Sequence, residues 1–136
     1  MAKIPDRLDI DKEDKRFYDY LTQEIFVGKE RKEQFLFAMA VGFKNEIRRP
    51  INSKEGFFRT EYLNPEEKTL LNSVAMYHSG SVEVLHDLEE VYKIAEEFAH
   101  AGIRIIYDEA TSGQPGSIFK KYELLLKESF DSIKFD

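Results

Sequence analysis

Two Glu-x-x-His pairs stand in the second half of the chain, Glu83/His86 and Glu97/His100. That spacing puts a carboxylate and an imidazole on one helix face, as in carboxylate-bridged two-metal bundles. The pairs are fourteen residues apart on one continuous helical pattern, so a rise of 1.5 Å per residue separates them by about 21 Å. Two such motifs share a metal only when separate helices bring them together. The spacing therefore predicts single rim histidines, and no metal, cofactor or catalytic residue is expected. The other constellation is cationic. Lys44, Asn45, Arg48 and Arg49 close one helical segment and Arg59 follows, so five bases between Lys44 and Arg59 face only Glu46 and Glu55. Guanidinium forks suit phosphate oxygens. The negative end of a helix dipole also favours cations, with no ligand involved. Thr111 and Ser117 lie near Gly113 and Gly116 but lack the GxxxxGK[ST] pattern of a phosphate loop. Three histidines and many carboxylates leave a small enzyme as an alternative that no spacing demands.

The elements that must position these groups read as helices. Residues 1–11 form an extended arm, in which Leu8 and Ile10 alternate with Arg7, Asp9 and Asp11 and allow a brief strand. Asp11 caps a first helix whose buried face is Phe17, Leu21 and Ile25, with Gly28 as its stop. The second helix spans about Lys29 to Glu46. Its middle, Phe35 to Phe43, is apolar all round, which marks a central helix. A connector over 48–64 carries turn residues and the pair Phe57-Phe58. Asn64, Pro65, Glu66 and Glu67 open a third helix, which presents Leu70, Leu71, Val74 and Tyr77 and stops at Gly80. From Ser81 to about Glu109, Leu88/Ala95/Gly102, Val91/Phe98/Ile105 and Tyr92/Ala99/Ile106 repeat every seven residues. Asp87 restarts that helix after a kink. The repeat is a seam for another helix, in this chain or in a second copy, and it motivates a homodimer. Ser117 caps a last helix with Ile118, Tyr122, Leu125 and Leu126, and 131–136 is a frayed tail. The expected fold is all-α: residues 1–136 as one domain of about five helices around a central apolar helix.

Composition sets the outer limits. The 136 residues carry a net charge of −6, which argues against a general nucleic-acid-coating protein. The charge is segmental. Between Glu83 and Glu109 eight acids face only Lys93 and Arg104, a surface suited to a basic protein partner. There is no cysteine, which removes disulfides, thiol catalysis and thiolate metal sites and fits a cytoplasmic setting. The opening residues have no apolar run of the kind a secretory leader needs. Phe35 to Phe43 is too short to span a bilayer.

The stretch Phe37-Ala38-Met39-Ala40-Val41-Gly42-Phe43-Lys44-Asn45-Glu46-Ile47-Arg48-Arg49-Pro50 resembles the signature of the DNA phosphorothioation-associated protein 4 family, also called Dnd system-associated protein 4. An arm with an early proline, the acids around Glu89-Glu90 and the Ala101-Gly102-Ile103 segment extend the likeness over most of the chain. Glu46 and Ile47 depart from it, standing where smaller or more basic residues are expected. The resemblance implies an accessory or regulatory role in a phosphorothioation-dependent modification and restriction system that serves anti-phage defence. Its implied partners are DNA, or the proteins of that system. On this reading Lys44, Asn45, Arg48, Arg49 and Arg59 form one basic surface on DNA phosphates. The alternative is an adaptor that docks through its acidic helix.

Overall fold

Asp11 ends one element and begins the next. Its carboxylate accepts from the Glu13 amide (3.1 Å), opening a 3-10 turn over Lys12–Asp14, and from the Asn52 amide (2.9 Å). These and the Lys12 amide bond to the Ser53 carbonyl (2.9 Å) tie the arm to the distant connector. The computed structural model describes residues 5–112, together with Leu124 and Lys127. The arm is strand β1, Arg7–Asp11, with Leu8 and Ile10 buried. It pairs antiparallel with β2, Lys54–Arg59. The fold is therefore mostly helical with a small two-stranded sheet, and the all-α expectation is corrected.

The connector hid β2 for a definite reason. Leu8 faces Phe58 and Asp9 faces Gly56, so Phe57 is an extra residue on β2. Neighbouring strand residues ordinarily point to opposite faces, and a bulge breaks that alternation. Phe57 meets the Tyr18 ring at 4.5 Å and Phe58 meets Phe35 at 5.5 Å. Two consecutive phenylalanines thus both reach the core, and the period-2 signal is lost.

Helix α1 spans Lys15–Glu24 and buries Phe17, Tyr18 and Leu21. Helix α2 spans Arg31–Lys44, and every residue from Gln34 to Gly42 is buried, as its uniform apolarity requires. Helix α3, Pro65–Ser79, has the start its sequence predicts. The Asn64 side chain accepts from the Glu67 amide, and Glu67 accepts from the Asn64 amide, both at 2.8 Å. Gly80 closes it in the left-handed region at φ 75°. Tyr77 departs from the expected buried face and is 53% exposed. A 3-10 turn over Val82–His86 leads to α4, Leu88–Ser112, which Asp87 caps through the Glu90 amide (3.2 Å).

Helices α2 and α4 form the central pair. A Cβ on Gly102 would run into the Ala38 carbonyl, and one on Gly42 into the Phe98 carbonyl. The two backbones touch where both side chains are hydrogen. The seven-residue seam is largely consumed here: Val91, Ala95, Phe98, Ala99 and Ile106 are buried inside the chain. The observation that motivated a homodimer thus has its partner in α2. The buried apolar side chains form one continuous cluster. Among the described residues there are four α-helices. The expected last helix and the frayed tail lie outside the described residues. No described helix is long and apolar enough to cross a membrane.

Candidate functional site

The C-terminal end of α2 was the expected basic site, and its local geometry explains what happened to it. The helix closes in a Schellman turn: the Ile47 amide reaches the Gly42 carbonyl (3.0 Å) and the Glu46 amide reaches Phe43 (3.1 Å). Glu46 occupies the left-handed position that glycine ordinarily fills, at φ 58°. The Asn45 side chain caps the Val41 carbonyl at 2.8 Å. The turn throws the chain back across α4. Arg48 Nε then lies 2.5 Å from Glu97 Oε1, its Nη1 meets His78 Nε2, and its Nη2 stands 3.8 Å from Glu90. A guanidinium only donates, so His78 Nε2 is the accepting atom in this contact.

The five expected site residues therefore do not share one surface. Lys44 and Arg49 are exposed and form no ion pair among the described residues. Arg48 and Asn45 are engaged inside the molecule. Arg59 pairs with Glu61 at 2.6 Å beside Arg31 and Lys32. Those two open α2, whose fourteen residues place Arg59 roughly 20 Å from Lys44.

The Glu-x-x-His residues also separate. Glu83 and His86 are exposed on the 3-10 turn. Glu97 holds Arg48. His100 is buried, with Nδ1 2.6 Å from Asp14 Oδ2 and Nε2 3.8 Å from Asp11. The hydrogen bond to Asp14 raises the His100 pKa against the opposing effect of burial. Burial in turn raises Asp14 despite that bond. This pair joins the first helical turn to the middle of α4. No group of three metal-ligating side chains occurs among the described residues.

The feature that sequence reasoning missed lies between β1 and the first turns of α4. A groove of about 710 Å³ runs there, lined by Asp6, Asp9, Asp87, Glu89, Glu90 and Glu96 against the cations Arg7, Lys54 and Lys93. Its floor is Glu96, only 6% exposed. The outer edge of β1 faces this helix, and the Asp9 amide donates to Glu96 Oε2 at 2.7 Å. Glu96 forms no ion pair among the described residues. Asp9 Oδ1 is buried 3.1 Å from Arg7 Nε but outside hydrogen-bonding alignment. Burial pushes the Glu96 carboxyl up to about 7. The Asp9 amide and Lys54 pull it back only in part, and the charges of Asp9 and Glu97 push it further. The clustering of acids was legible in the sequence. The burial of Glu96 was not, because a charged residue in an acidic run reads as solvated.

A family model described as DNA sulphur modification system-associated protein 4 matches residues 7–134. No curated protein and no solved structure matches.

Proposed function

The chain belongs to the DNA sulphur modification system-associated protein 4 family, and from that premise we propose that it is a non-catalytic accessory protein of the system, docking on a basic partner protein through the groove between β1 and α4. The observation that carries this reading is the acid-lined groove itself, six carboxylates against three cations, with Glu96 at its floor forming no ion pair among the described residues. Charge complementarity of this kind steers encounter and selects partners. The inward turn of Arg48 supports the same reading, since it removes the centre of the rival basic patch. The separate engagement of Glu97 and His100 supports a binder over an enzyme, whose polar groups would converge on one cavity.

The test is calorimetric titration of the protein against the purified modification and restriction proteins of the same system. Asp6→Lys with Glu89→Lys reverses two exposed groove charges and should weaken the interaction at least tenfold. Equal binding by the variant would refute docking through this face. A second reading rests on exposed Lys44 and Arg49, which form no ion pair among the described residues and could meet DNA phosphates. Such contacts are weakly sequence-specific and fall with salt at a log–log slope near −0.9 per neutralised phosphate. Two phosphate contacts from these cations then give a slope of about −2 on plain, nicked or phosphorothioated duplexes. Loss of that slope in Lys44→Ala/Arg49→Ala would favour this reading, and no binding at low salt would remove it.

A further inference from the structure

We infer that the cavity between the C-terminal ends of α2 and α3 is a seat for one unpaired nucleotide, with its base against aromatic rings and its phosphate on Lys44. The inference rests on the second reading above, contact of Lys44 and Arg49 with phosphates, and names the form of nucleic acid that fits. The cavity has a volume of about 520 Å³, and four rings line it, those of Phe43, Tyr77, His78 and Phe98. Phe43 meets Tyr77 at 6.2 Å and Phe98 at 5.6 Å, and His78 meets Phe98 at 5.2 Å, all edge to face. Tyr77 is 53% exposed, although the apolar pattern of α3 places it on the buried face. Leaving such a ring in water forgoes the gain of burying it, and a planar guest in the cavity would cover it.

The charged groups at the cavity select an anion. Among its lining residues Glu46 is the one acid, against Lys44 and Arg48. Lys44 is exposed and forms no ion pair among the described residues, and Arg49, next to Arg48 in the chain, shares both properties. Helix C-termini ordinarily attract cations, but here the closing carbonyls already have donors. Asn45 Nδ2 holds Val41, the Ile47 amide holds Gly42 and the Gly80 amide holds Met76. Arg48 is fixed by Glu97 and His78, so it is a wall of the cavity and leaves the phosphate to Lys44. A planar aromatic group joined to a phosphate is a nucleotide. Within a duplex the grooves show only the edges of each base, whereas aromatic side chains take its face. The fit is therefore to a base outside the stack, in single-stranded or locally opened DNA.

The probes are labelled decathymidylate, an abasic strand of the same length and a blunt duplex, each titrated into the full chain by fluorescence anisotropy at low salt. The expected result is single-strand binding roughly tenfold tighter than that of the abasic strand or the duplex. This comparison uses the wild-type chain and depends on no variant. Tyr77→Ala, its fold verified by urea unfolding, should lose that tenfold advantage and bind the duplex as before. Tyr77→Phe keeps the ring and should keep the advantage. Lys44→Ala should weaken binding of every probe and flatten its salt dependence by about one phosphate. Equal affinity for decathymidylate and the abasic strand overturns the inference, as does an unchanged single-strand advantage in folded Tyr77→Ala. If the duplex still binds with a salt slope that Lys44→Ala/Arg49→Ala removes, the phosphate reading survives that failure. If no probe binds at low salt, both fall.

Discussion

Replacing Glu96 with glutamine should make the protein more stable at neutral and alkaline pH. The folded carboxyl titrates at about 7 against an ordinary 4.5. The folded state therefore holds the Glu96 proton more tightly than the unfolded chain does. Its contribution to stability is fully present below pH 4.5 and is lost as pH rises through 7. The gap between about 7 and the ordinary 4.5 is worth roughly 3 kcal/mol. Water in the groove screens part of this, so about 2 kcal/mol is the working expectation. Glutamine cannot ionise and still accepts from the Asp9 amide. The variant should thus match the wild type near pH 4.5 and exceed it by about 2 kcal/mol at pH 8. Urea unfolding followed by circular dichroism at both pH values reads this directly, with equal m-values as the check that the unfolded state is unchanged. A variant no more stable than the wild type at pH 8, or an advantage independent of pH, would refute the burial argument.

Other perturbations separate the remaining claims. Arg48→Ala leaves the Glu97 carboxylate with no cation within 4 Å among the described residues and should cost roughly 2–4 kcal/mol in denaturant unfolding, whereas Arg49→Ala should stay within about 0.5 kcal/mol. Gly102→Ala drives a methyl group into the Ala38 carbonyl and should cost more than about 3 kcal/mol, read as a fall in melting temperature. Glu46→Gly relieves a left-handed non-glycine residue and should stabilise the fold by up to about 1 kcal/mol. His100 has a raised pKa, so its contribution is full below its ordinary value near 6.5 and lost as pH rises through the folded one. His100→Gln should therefore cost more at pH 6 than at pH 9 in urea titrations.

What the sequence disclosed follows the range of the interactions involved. The α3 start at Asn64-Pro65, its stop at Gly80 and the Asp87 restart are all encoded within a few residues, and each stands where its signal lies. The central burial of α2 was equally legible, because an apolar helix has no solvated face. Strand β2 was not, since its bulge erases alternation and its partner is some fifty residues away. The resemblance to the family was carried by the α2 signature, and the family match bears it out. The basic surface depended on where a turn would send Arg48. Local charge balance counts Arg48 as free, whereas its partners on α3 and α4 are thirty and forty-nine residues distant. Lone acids in an acidic run carry no mark of which one the fold will bury.

The donor that holds Glu96 is a main-chain amide, and this sets how the contact is inherited. Every residue except proline supplies an amide at position 9, so mutation there leaves the hydrogen bond intact. In a saturation library, position 96 would tolerate few replacements while position 9 would register proline far more than any other loss. Correlated substitution between the two positions would be weak, because nothing in the identity of residue 9 specifies this bond. The strand can therefore drift in sequence while continuing to present the same hydrogen to the same carboxylate, provided its length and register do not change.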